Sequence, residues 1–126
     1  MLRLLRQLFL KQTAEKFLTI SPHKAYQDAK AECLCLIDIR QPQECKATGR
    51  PQLSNVISLH EPEFVSKVNE LVKADKSVAI AIICQTGIRS KQAFKKLSQE
   101  GFENIALVEG SFPAWQKIGL PVTQFE

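Results

Sequence analysis

Val78-Ala79-Ile80-Ala81-Ile82-Ile83-Cys84-Gln85-Thr86-Gly87-Ile88-Arg89-Ser90 is the stretch that decides how this chain is read. Six apolar residues without polar alternation predict a strand buried on both faces, as in a parallel sheet. A short loop follows, with Gly87 inside it and Arg89 near its end, and residues 91–99 have a helical pattern. Cys84 therefore stands where a buried strand ends and a helix begins. Backbone N–H groups of such a loop, and the positive end of the helix dipole, converge on an anion at its centre. That setting favours thiolate over thiol, and reactive cysteines occupy electropositive, partly open sites of this kind. Most cysteines at strand ends simply pack. A packed one, however, has no need of a glycine three residues on and an arginine five residues on.

Outward from this stretch, strands and helices alternate. Residues 17–20 read as a short strand, and Ser21-Pro22 supplies an N-cap and a first-turn proline for a helix to about Lys30. Residues 33–39 are a continuous apolar strand ending at Asp38 and Arg40, with Cys33 and Cys35 expected on one face and packed. Pro42, Gly49 and Pro51 punctuate a loop over 41–54 with at most one helical turn, and 55–59 form a third strand. Glu61-Pro62 opens a helix whose apolar residues Phe64, Val65, Val68, Leu71 and Val72 recur at helical spacing. The helix after the Cys84 loop buries Ala93, Phe94 and Leu97 and stops at Gly101. Residues 104–108 are the last strand, and Ser111 is expected to cap a terminal helix through Ile118. The pattern predicts a three-layer α/β domain over 17–126: a central, mainly parallel five-stranded sheet flanked by helices. Ligands of such sheets gather at the carboxyl ends of the strands, where Cys84 falls.

A chain of 126 residues is long enough for one core and too short for two ordinary domains. With 44% hydrophobic and 24% charged residues it has the composition of a globular protein. The net charge of +4 is unevenly placed. Residues 1–16 hold Arg3, Arg6, Lys11 and Lys16 against Glu15, leaving 13 basic and 12 acidic side chains in the body. No basic stripe suggests nucleic acid. In 1–16, Leu2, Leu4, Leu5, Leu8 and Phe9 cover one side of a helical wheel opposite Arg3, Arg6, Gln7 and Lys11. This amphipathic N-terminal helix is too short to span a membrane and lacks a secretory cleavage site. Docking on the domain or in a homodimer is the favoured role, ahead of membrane contact or an organelle leader. The four cysteines are read as reduced thiols of a cytoplasmic chain. No Cys/His pair has ligand spacing, so neither metal nor cofactor is expected.

In the loop, Cys84 is the candidate nucleophile and Arg89 a permanently charged fork for an oxyanion. Gly87 lets consecutive N–H groups point inward. Thr86 and Ser90 offer hydroxyls, with ordinary turn and cap roles as the alternative; Gln85 and Ile88 contribute chiefly backbone amides. The histidines, His23 and His60, lie in surface-type settings, so a general base of the kind cysteine proteases need is missing. The loop itself must stabilise the thiolate.

At these residues the chain resembles the rhodanese sulfurtransferases, whose loop runs Cys, four residues, Arg, then a helix. Leu36-Ile37-Asp38-Ile39-Arg40 with Pro42 and Glu44 is similar to the family's strand and turn, and Gly49 to Leu59 more weakly to its Gly-His-Ile segment. Glu109-Gly110, Ala114-Trp115 and Gly119-Leu120-Pro121-Val122 are similar to its C-terminal signature. Cys45 stands where the family has Tyr or Phe, Arg50 replaces His, Leu53-Ser54 replaces Gly-Ala and Ser111 replaces a second Gly. The resemblance implies that Cys84 takes sulfur from a donor such as thiosulfate or a persulfide, carries it as a persulfide and yields it to a thiol or cyanide. It implies that Arg89 meets the departing sulfonate and that Asp38 and Arg40 buttress the loop, with a purely structural ion pair favoured. Glutathione and thioredoxin-type proteins are candidate acceptors, and Cys45 as a second sulfur-taking thiol ranks below packing. The alternatives are a non-turnover sulfur carrier or docking module, and a phosphatase or arsenate reductase with a Cys–Arg loop. The phosphatases carry one more residue between Cys and Arg.

Overall fold

A computed structural model describes residues 17–126 of the chain; the amphipathic helix expected over 1–16, and any dimer or membrane contact through it, lies outside the described residues. The central sheet has the strand order β1-β6-β5-β2-β4, built from β1 (Thr19–Ile20), β2 (Cys35–Asp38), β4 (Asn55–Val56), β5 (Ile80–Ile83) and β6 (Ile105–Val108). All four pairings are parallel, with Ile37 and Leu107 on either side of Ile82. The strand that leads to Cys84 is thus the middle one. Its four residues are all buried, which is why its sequence shows no polar alternation.

Five helices cover the sheet among the described residues: α1 (Pro22–Lys30), α2 (Pro42–Thr48), α3 (Phe64–Leu71), α4 (Ile88–Gln99) and α5 (Ser111–Lys117). Period-two alternation divides β5 between two cores. Ile80 and Ile82, with Ile37 and Ile39 of the β2 segment, pack on Phe64 and Val68 of α3 and Ala93 and Leu97 of α4. Ala81 and Ile83 face the other way, against Ala25 of α1 and Phe112 and Trp115 of α5. Trp115 donates Nε1–H to the Pro121 carbonyl at 2.9 Å, which satisfies its one polar atom inside the core.

The helix α1 begins as read, with Ser21 Oγ accepting the Lys24 amide at 3.1 Å. Other boundaries differ. Residues 42–48 form a whole helix, α2, where a loop was expected, and the Gln41 amide donates to Glu44 Oε1 at 3.1 Å to close its first turn. Helix α4 starts at Ile88 rather than Lys91, which moves Arg89 and Ser90 into its first turn. Helix α3 starts at Phe64, after Glu61-Pro62. Cys33 lies before β2 and is exposed, so it does not share a packed face with Cys35. A two-stranded antiparallel ladder of β3 (Arg50–Pro51) and β7 (Val122–Thr123) was not foreseen, because two-residue strands carry no periodicity.

Candidate active site

The chain leaves β5 at Ile83 and turns through Gln85, Thr86 and Gly87 into α4. Gly87 is the N-cap with φ of 89°, a left-handed conformation that costs a side-chain-bearing residue about 1 kcal/mol. In that conformation its N–H turns back and donates to Cys84 Sγ at 3.0 Å. The Cys84 backbone is clamped from the other side by the start of α5. Its N–H donates to Ser111 Oγ (3.3 Å) and its carbonyl accepts the Phe112 amide (2.9 Å). Ser111 Oγ also lies 3.7 Å from Cys84 Sγ.

Cys84 has no exposed surface, although a partly open thiol was expected. Burial alone would push the thiol up. Hydrogen bonding from the Ser90 and Ser111 hydroxyls and from the Gly87 and Ser90 amides outweighs it, and the thiol is lowered. Ser90 Oγ is itself buried without a partner of good geometry, so Ser111 holds the better-defined hydroxyl contact. The dipole of the twelve-residue helix α4 acts in the same direction.

The remaining loop residues divide. Thr86, Gly87 and Ser90 line a cleft of about 170 Å³ with Lys91, Glu109, Gly110 and Ser111. Gln85 is half-buried and Ile88 is 67% exposed. Arg89 departs from expectation. Its Nη1 and Nη2 donate to Glu44 Oε1 and Oε2 at 2.5 and 2.8 Å, so the fork is taken up by α2 rather than aimed into the loop. The Arg89 guanidinium holds the Glu44 carboxyl down to about 2. Glu44 is the site residue that sequence reasoning missed. The signal was its place three residues after Gln41, the spacing of a helix-opening carboxylate.

Asp38 and Arg40 form a fully buried pair, with Nη2 to Oδ2 at 2.8 Å and Nε between both carboxylate oxygens. Arg40 also donates to Thr48 Oγ1 and the Gly49 carbonyl, both at 2.9 Å, and its guanidinium stacks 4.0 Å above Phe112. Every guanidinium nitrogen is partnered, as burial of a charge requires. The pair ties the end of β2 to the end of α2 and, through Phe112, to the Cys84 carbonyl. Cys45 is buried against it, with Sγ 3.7 Å from Asp38 Oδ2. Desolvation first, then the Asp38 charge, pushes this thiol up to about 11. His23 and His60 are exposed surface residues. Among the described residues no cluster of His, Cys, Asp and Glu could hold a metal, and no helix is long and apolar enough to cross a membrane.

Known proteins resemble this chain in sequence and in fold. The chain is 29% identical over 109 residues to the thiosulfate sulfurtransferase GlpE of Actinobacillus pleuropneumoniae serotype 3, covering 86% of this chain and 95% of that protein. It is also 29% identical over 108 residues to the protein of that name from Vibrio cholerae, covering 86% and 96%. Among solved structures, a rhodanese-related protein from Thermoplasma volcanium matches with a TM-score of 0.63 and 30% identity, over 84% of this chain and 97% of that one. The polysulfide-sulfur transferase homodimer of Wolinella succinogenes matches with a TM-score of 0.67 and 29% identity, over 94% and 89%. The sequence model of the rhodanese-like domain matches residues 21–118, the span from the cap of α1 to the end of α5. The chain therefore belongs to the rhodanese-like domain family.

Proposed function

We propose that this protein is a sulfurtransferase that moves sulfane sulfur, from a donor such as thiosulfate or a persulfide, to a thiol or cyanide through a persulfide on Cys84. Residues 17–126 are the catalytic unit. One observation carries the reading: a fully buried thiol at the end of the central strand accepts a main-chain N–H at 3.0 Å, with the Ser111 hydroxyl 3.7 Å away, and is lowered despite its burial. The names of the thiosulfate sulfurtransferase and polysulfide-sulfur transferase relatives support the same chemistry.

With thiosulfate, Cys84 Sγ attacks the outer sulfur, the S–S bond breaks, and sulfite leaves with the electron pair. The outer sulfur stays as the terminal, anionic atom of the persulfide, held in this reading by the loop of Gln85, Thr86, Gly87, Ile88, Arg89 and Ser90, whose Gly87 N–H lies 3.0 Å from Cys84 Sγ. An acceptor thiolate or cyanide then attacks that atom, and Cys84 departs as thiolate. No proton need be taken from the substrate, so the loop needs no histidine base. Because Glu44 occupies the Arg89 fork, Arg89 acts by pinning the first turn of α4 to α2. This weighs against the phosphatase and arsenate reductase alternatives, which need the fork free for a tetrahedral oxyanion. The four cysteines are free thiols, which fits a reducing, cytoplasmic setting.

The test is intact mass after incubation with thiosulfate. One added sulfur, removed by cyanide and absent in Cys84→Ser, is the expected result. Hydrolysis of an aryl phosphate by protein that takes no sulfur from thiosulfate overturns the reading.

A further inference from the structure

Ser111 sits in a conformation that nothing in its own helix explains. Its φ is 53°, directly after Gly110 at 69°, so two successive residues occupy the left-handed region. At Gly110 a Cβ would lie 2.5 Å from the Ala114 side chain, so that position admits only glycine. Ser111 has no such excuse: it carries a Cβ in a region that disfavours one, is 2% exposed, and caps nothing in α5. Its hydroxyl instead reaches across to β5, accepting the Cys84 N–H at 3.3 Å and lying 3.7 Å from Cys84 Sγ. The accepted N–H takes one lone pair and directs the O–H away from the Cys84 backbone. A thiolate cannot donate, so in the ionised state that O–H must be the donor to sulfur.

We propose that Ser111 is a catalytic residue whose hydroxyl donates to the Cys84 sulfur, stabilising the thiolate both as attacking group and as the leaving group when the persulfide is discharged. The leaving-group half rests on the sulfur-transfer reading above; the hydrogen bond to the thiolate does not. In the discharge step the acceptor bonds to the outer sulfur, the S–S bond breaks, and the electron pair returns to Cys84 Sγ against the Ser111 O–H. A lower thiol pKa makes a faster leaving group. The other charges around the sulfur are already committed or lie at the rim. Arg89 of α4 is paired with Glu44 of α2, and Asp38 with Arg40 at the end of β2, with the Cys45 thiol beside that pair. Lys91 and Glu109 border the neighbouring cleft. None of them changes when Ser111 is replaced.

The experiment compares the full chain with Ser111→Gly and Ser111→Ala. Glycine removes the hydroxyl and accepts the left-handed φ; alanine removes the hydroxyl and keeps the Cβ. Alkylation of Cys84 by iodoacetamide is followed against pH, with peptide mapping to separate it from exposed Cys33. Both variants are expected to shift the Cys84 profile to higher pH and slow alkylation at pH 7 by about three- to tenfold, the scale of an ordinary hydrogen bond, as suits a contact of 3.7 Å. Cyanide discharge of the preformed persulfide in a single turnover slows in parallel. Ser111→Gly melts no lower than Ser111→Ala, which keeps the experiment readable if alanine fails to fold. A Ser111→Gly profile superimposable on the unsubstituted protein overturns the proposal. A shifted profile with no sulfur ever acquired overturns sulfur transfer instead and leaves the Ser111 contact standing.

Discussion

Two cysteines of this protein are equally buried and chemically opposite. Cys84, at the end of β5, and Cys45, on α2, both have no exposed surface. Desolvation pushes each thiol up, and in Cys45 the adjacent Asp38 carboxylate pushes it further, to about 11. In Cys84 the same desolvation is outweighed by donors, an amide at 3.0 Å and hydroxyls alongside. Burial therefore does not decide whether a cysteine is inert. What the burying groups present does: carboxylate oxygen at one, N–H and O–H at the other.

The sharpest break in the comparison is substitution of the two sulfurs. Cys84→Ser is expected to lower sulfur transfer from thiosulfate by at least about a thousandfold, as loss of a nucleophile does, while Cys45→Ser leaves turnover within about twofold. Turnover that falls equally in both variants would make Cys45 part of the relay. Next in size is Asp38→Asn, which leaves Arg40 fully buried without its counter-charge. A loss of about 3–5 kcal/mol in urea unfolding is expected. The Cys45 thiol should move down as the carboxylate charge disappears, narrowing the contrast with Cys84; a Cys45 titration that stays put would show that desolvation acts alone.

Smaller is the effect of Glu44→Gln. The Glu44–Arg89 pair is partly solvated, so its loss costs about 1 kcal/mol. It also frees a positive charge near Cys84, and the alkylation profile should move to lower pH. Acid probes the same pair. The Glu44 carboxyl is held down to about 2 by Arg89, so its contribution is complete above the ordinary carboxylate range and is lost as pH falls towards 2. The difference in melting temperature between the unsubstituted protein and Glu44→Gln should accordingly shrink between pH 5 and pH 2. A constant difference would mean that the carboxylate charge is not what Arg89 needs.

Much of this was legible in one dimension. Six apolar residues before Cys84 announced a strand buried on both faces, since no polar residue can alternate where both faces are covered. Ser21-Pro22 announced α1, because an N-cap hydroxyl and a proline at the first position are local demands. Helix α2 was not legible: between Pro42 and Gly49 it is short and polar, and the apolar residue it buries is a cysteine. Ser111 was misread for a related reason. A serine ahead of a helix is normally its cap, and only the approach of α5 to the end of β5 gives its hydroxyl a different partner.

The sequence by itself determined the layer order, the position of Cys84 at the strand's carboxyl end and the amides of its loop, because these depend on residues adjacent in the chain. Tertiary structure alone decided that Arg89 is spent on Glu44, that Ser111 stands behind the sulfur, and that Cys45 meets a carboxylate. Those partners are 45, 27 and 7 positions apart. The electrostatics of a buried thiol belong to whatever folding brings within hydrogen-bonding distance, and no local pattern records that.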